Sequence, residues 1–129
     1  MEARNKLEAF LKAWKDRDFS AMMDTCQMTW AYTKSEEDLK QHFGSEDWLI
    51  KSYSITSFSN VSNVKKSFTM ELTFSDGRIQ RHAAVVICES DPYKPAPFGA
   101  WGVNPVSVIR NFGTIKAKTT KKAKNESKK

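Results

Sequence analysis

No stretch of this chain approaches the ~18 consecutive apolar residues that a membrane-spanning helix needs. The opening segment, MEARNKLEAFLKAW, is charged and amphipathic. It lacks an apolar core followed by a small-residue cleavage site, so it does not read as a secretory signal. Cysteine is scarce. Cys26 and Cys88 both sit inside apolar stretches and fit neither a metal spacing nor a CxxC pattern. They read as two buried, reduced thiols of a cytoplasmic protein. A glycine-rich phosphate loop, a zinc-ligand spacing and a nucleophile elbow are all missing. No catalytic residue, metal ligand or cofactor site is therefore assigned from motifs.

A surplus of basic residues is present but confined. Residues 1–113 carry 14 Lys/Arg against 14 Asp/Glu, whereas residues 114–129 carry seven lysines and one glutamate. The net charge of +6 thus belongs to a tail and not to a basic domain. The body, 1–113, has enough residues for one domain with a real core and too few for two. The lysine-rich tail, 114–129, reads as a disordered, solvated end. It has no aromatic residues for stacking on bases, and weak, sequence-blind contact with nucleic acid is its alternative role.

Hydrophobic periodicity divides the body. Leu7, Phe10, Leu11 and Trp14 form the stripe of an amphipathic helix. Asp18 is placed to cap a second short helix containing Phe19, Met22, Met23 and Cys26. QMTWAYT alternates and is rich in β formers, which predicts a strand. Ser35, with Asp38 three residues on, opens a third helix that Gly44 stops. From residue 49 the signals are β. LIKSYSITSFSNV predicts a long strand with a bulge near Ser57. VKKSFTMELTF and GRIQRHAAVVICES flank Asp76-Gly77, a strong hairpin signal. DPYKPAPFGA is a loop, and WGVNPVSVIRNF reads as a closing strand that Pro105 makes an edge or breaks.

A two-residue Asp76-Gly77 loop pairs Leu72 with Arg81 and Phe74 with Ile79. That register places Phe68, Met70, Leu72, Phe74, Ile79, Arg81, Ala83 and Val85 on one inward face. His82, Val86 and Cys88 then fall on the other face, with His82 opposite Glu71 as a surface pair. An inward arginine is costly unless paired or wet. Either Arg81 snorkels to water or to an acid such as Asp24, or it offers a fork to an anionic ligand in a pocket. The first is the commoner outcome for a charge near a strand end. His42 suits the C-terminal dipole of its helix.

The element order resembles the nuclear-transport-factor-2-like superfamily over about residues 3–112. FLKAWKDRDFSAMMDTC resembles its first helix, turn and second helix, DGRIQRHAAVVI its penultimate hairpin arm, and WGVNPVSVI its closing strand. The resemblance implies an α+β cone, in which a strongly curved, mostly antiparallel sheet wraps the N-terminal helices around a pocket. Enzymes of that superfamily place Tyr, Asp or His inside the cone. The pocket candidates here are Trp14, Asp24, Tyr32, Tyr53 and Arg81, and they match no known catalytic set. The expected function is a non-catalytic binding or assembly module, with a hydrophobic or anionic small ligand. It would act as a homodimer through the outer sheet face, which an apolar Val86/Cys88 end favours. The alternatives are a small isomerase or dehydratase acting on a hydrophobic substrate, and an accessory protein contacting nucleic acid through its tail. The composition fits a bacterial or phage accessory protein.

Overall fold

A computed structural model describes residues 1–110. The tail and the end of the domain expected at residue 113 lie outside the described residues. Four helices come first: α1 (Glu2–Asp16), α2 (Phe19–Met23), α3 (Met28–Thr33) and α4 (Glu36–Phe43). A 3-10 turn, Glu46–Trp48, leads into the strands β1 (Ile50–Ser62), β2 (Lys65–Phe74), β3 (Ile79–Asp91), β4 (Lys94–Pro95) and β5 (Ala100–Asn104). The fold is α+β, with N-terminal helices on a curved, five-stranded antiparallel sheet. Its order is β1-β2-β3-β4, with β5 paired to β3 over 85–89, ahead of the stretch that β4 pairs. Among the described residues no helix is long and apolar enough to cross a membrane.

The helix boundaries follow local chemistry. Asp18 Oδ1 accepts from the Ala21 N–H at 3.1 Å and caps α2. Ser35 and Asp38 complete a capping box on α4, and Gly44 ends it. The α1 stripe is buried throughout, with Leu7, Phe10, Leu11 and Trp14 at 1% exposure or less. QMTWAYT is not the expected strand. It turns into α3 after one bridge, in which Cys26 runs parallel to Val103 along the free side of β5. Its β propensity yields to context, because Glu89 holds the amide end of that helix.

The bridge requires Gly102. A Cβ there would lie 2.5 Å from Gln27 Cα and 2.7 Å from Gln27 N. Gly102→Ala must push two backbones apart, and a loss of about 1–3 kcal/mol is expected. Urea denaturation measures it, and an unchanged midpoint would contradict the close approach.

The hairpin register differs from the sequence expectation by one residue. Gly77 N–H donates to the Phe74 carbonyl at 2.9 Å, and Phe74 N–H to the Arg78 carbonyl at 2.8 Å. Gly77 has φ 95°, so the loop is a turn followed by a glycine bulge, one residue longer than the two-residue loop. Thr73 pairs with Ile79, Leu72 with Gln80, Glu71 with Arg81 and Met70 with His82. Every β3 side chain therefore changes face. Gln80, His82, Ala84, Val86 and Cys88 lie inside with the fully buried Phe68, Met70, Leu72 and Phe74. Ile79, Arg81, Ala83, Val85 and Ile87 lie outside, where Ile79 is exposed and the last three half-buried.

Two further expectations meet the structure in β1 and β5. Strand β1 shifts register between Ile55 and Ser57, at the expected bulge, and twice more near its ends. Strand β5 stops at Asn104, and residues 105–110 are helical. Asn104 Oδ1 accepts from Val106 N–H at 2.9 Å, so Asn104 caps this segment and Pro105 is its first residue, where a missing N–H costs nothing. Ser107 Oγ accepts from Val85 N–H at 2.9 Å and ties the segment to the edge of β3.

Candidate functional site

Aromatic rings fill the space between helices and sheet. Trp14 meets Phe43 edge-on at 5.0 Å and Phe74 at 6.5 Å. Phe74 meets Trp48 at 5.5 Å and His82 at 6.1 Å. Trp14 Nε1 donates to the Trp48 carbonyl at 2.9 Å, so the one polar atom of that ring is satisfied inside. Arg78 closes the hairpin end. Its guanidinium lies 4.7 Å from the Phe74 centroid and 5.2 Å from that of Trp48. It also donates to Asp76 Oδ2 at 2.7 Å and to the Asp47 carbonyl. Cation–π contact and hydrogen bonds together fix it as a lid on the rings.

His82, expected on the outer surface, is buried in this packing. Its Nε2 lies 3.2 Å from Gln80 Oε1, and it shares a hydrogen bond with the Val108 backbone. Burial drives its pKa down to about 4, with the positive charge of Arg78 acting in the same direction. The ring is neutral at pH 7. Gln80 Nε2 is buried and has no hydrogen-bond partner among the described residues. Cys26 and Cys88 are free thiols, and burial pushes Cys26 up to about 12, which makes it unreactive.

The five pocket candidates do not converge. Trp14 is core. Asp24 is exposed at the C-cap of α2. Tyr53 is half-buried on β1, opposite Leu72. Arg81 is exposed and opposite Glu71, so neither of its expected inward resolutions applies. Tyr32 lines a groove on the surface.

Among the described residues, two open grooves of about 300 Å³ each are of interest. One lies between α1 and α2, on Ala9, Ala13, Ala21 and Thr25, rimmed by Lys12, Asp16 and Asp18. Lys12 pairs with Asp16 at 2.7 Å across that rim. The other is formed by Tyr32, Asp91, Pro92 and Tyr93, where α3 meets the turn after β3. The second is the more constructed of the two. Tyr32 and Tyr93 meet edge-on at 6.1 Å, and both are largely exposed, at 70% and 64%.

A buried carboxylate sets that geometry. Glu89, 2% exposed, accepts from Thr29 N–H at 3.0 Å, from Gln27 Nε2 at 3.1 Å and from the Thr29 hydroxyl. Thr29 Oγ1 in turn accepts from Tyr93 N–H at 2.8 Å. One chain of bonds thus runs from β3 through the first turn of α3 to Tyr93, whose φ is 65°. That left-handed conformation is unfavourable for a tyrosine, and the bond to Thr29 helps hold it. Glu89 was missed in the sequence, where its one signal is an acid that closes the apolar run VVICES. Nothing in DPY announced the positive φ of Tyr93, since the tyrosine is not a residue that prefers it.

Among the described residues no group of three His, Cys, Asp or Glu side chains could hold a metal ion. No known family model matches the chain, and no curated protein matches it.

Proposed function

We propose that this chain is a binding or assembly module of the nuclear-transport-factor-2-like type, which works through its surface as a homodimer in the cytoplasm. One observation carries the reading. Trp14, Phe68, Met70 and Phe74, which would surround a hollow cone, are packed to 1% exposure or less. A filled interior leaves recognition to the outside. The order of helices before a curved antiparallel sheet supports the family resemblance. Two free thiols, Cys88 buried and Cys26 half-buried rather than buried as expected, support a reducing compartment.

The corrected register changes which residues make the dimer face. Val86 and Cys88 are inside, so the apolar centre of the outer face is Ala83, Val85 and Ile87, bordered by Ser67, Thr69 and Ile79. A strip of this kind, with Ser67 and Thr69 beside its centre and Lys65, Glu71 and Arg81 at its ends, suits face-to-face packing of two sheets. Sedimentation equilibrium at micromolar concentration is expected to give a dimer. Val85→Asp is expected to give a monomer with unchanged circular dichroism. A wild-type monomer would overturn the quaternary part of the proposal.

The rival reading, an isomerase or dehydratase with a hydrophobic substrate in the cone, needs space that the ring cluster occupies. Nucleic-acid contact by residues 114–129 is a separate role. Binding that persists after their deletion would exclude it.

A further inference from the structure

We propose that the groove of Tyr32, Asp91, Pro92 and Tyr93 is a docking site for an arginine side chain of a partner polypeptide. The proposal deepens the binding-module reading and rests on it.

Tyr93 is the starting point. A left-handed backbone favours glycine or asparagine, and a tyrosine there costs stability. An exposed ring returns little of that cost through burial, since 64% of the residue remains accessible. The buried bonds through Thr29 to Glu89 nevertheless hold it in place. Such an arrangement serves the ring's position, which lies edge-on to Tyr32 at 87° and forms a two-walled corner.

The electrostatics select a cation. Glu89 is buried and its oxygens are taken up by the Gln27 and Thr29 donors, so the charge open to a ligand is that of Asp91. Asp91 lines the groove and is exposed. Neither carboxylate has an ion-pair partner within 4 Å among the described residues, although Lys94 is the register partner of Asp91. The exposed Asp91 carboxylate beside the two tyrosine rings attracts positive charge. A guanidinium fits this set best. Its plane stacks on one ring while its fork meets the Asp91 carboxylate, which a compact ammonium does less well. A volume of about 300 Å³ suits one side chain.

The test is a titration of the full chain, followed by NMR of the tyrosine ring signals. The probe is acetyl-Gly-Arg-Gly-amide, and acetyl-Gly-Gln-Gly-amide is the neutral control. The arginine peptide is expected to shift Tyr32 and Tyr93, more strongly at low salt, while the glutamine peptide does not. Asp91→Asn and Tyr93→Gly are each expected to weaken binding at least tenfold. Tyr93→Gly is also expected to melt no lower than the wild type, because glycine suits that backbone. No shift, an equal response to glutamine, or undiminished affinity in both variants overturns the proposal. So does tetramethylammonium binding as tightly as the arginine peptide, which would assign the corner to a small cation. A dimer that forms while the arginine peptide fails sinks this inference and leaves the assembly reading intact. The converse result sinks only the dimer.

Discussion

Replacing Trp14 by alanine is expected to cost about 3–5 kcal/mol of stability. The ring is 1% exposed and touches Phe10, Phe43 and Phe74 edge-on. Truncation leaves a cavity between α1 and the sheet, and it strips the Trp48 carbonyl of the indole N–H. Domains of this size have about 5–15 kcal/mol in total, so the variant stands close to unfolding at room temperature. Trp14→Phe keeps most of the volume and loses the hydrogen bond, and a cost of about 2 kcal/mol is expected. Urea denaturation of both variants measures the difference. A loss below about 1 kcal/mol for Trp14→Ala would mean a loosely filled interior. The hollow-cone reading, with its enzyme rival, would then return.

The second large effect is a loss of stability in mild acid. Burial, helped by Arg78, holds His82 at about 4, against 6.5 for a free histidine. Between those values the unfolded chain binds a proton that the folded chain refuses. Stability is therefore complete above about pH 6.5 and falls as the pH drops towards 4, by about 3 kcal/mol in all. Two carboxylates act in a different range. Asp16 is lowered from 3.8 by its bond from Lys12, and Asp38 by the Ser35 backbone, so both matter only below about pH 4. The window from 6.5 to 4 belongs to the imidazole. His82→Gln is expected to flatten the profile there when unfolding free energies are compared at pH 7, 5.5 and 4.5. Parallel profiles for wild type and variant would show that the histidine is not the titrating group.

How much of this was legible in the sequence depends on which interactions are local. The α1 stripe, the Asp18 cap, the Ser35–Asp38 box and the bulge near Ser57 involve neighbours in the chain, and all are present. The inward row Phe68, Met70, Leu72 and Phe74 was also readable, because strict alternation of large apolar groups admits one face. β3 gave no such guide. One of its faces carries Gln80, His82, Ala84 and Val86, two polar and two apolar, and the other Ile79, Arg81, Ala83 and Val85, one polar and three apolar, so both are mixed and the more apolar of the two is the outer one. Only the loop could decide, and Asp-Gly serves both the two-residue turn and the longer turn with a glycine bulge. The arginine and the histidine exchanged places on that single residue. QMTWAYT failed for a related reason. Its helix depends on Glu89, some 60 positions away. The groove of Tyr32 and Tyr93 was invisible because α3 and the β3 turn meet only in three dimensions.

Strand β1 has one further consequence. It is the outermost member of the described sheet, thirteen residues long, and largely open to water. A flat margin of that length would invite copies to add strand upon strand into fibrils. The three offsets at Ile50/Ser52, Ile55/Ser57 and Asn60/Ser62 break its row of backbone donors and acceptors into short pieces out of step with one another. Growth by lateral zippering is frustrated there, so the longest open margin of the described sheet is guarded by its own irregular pairing.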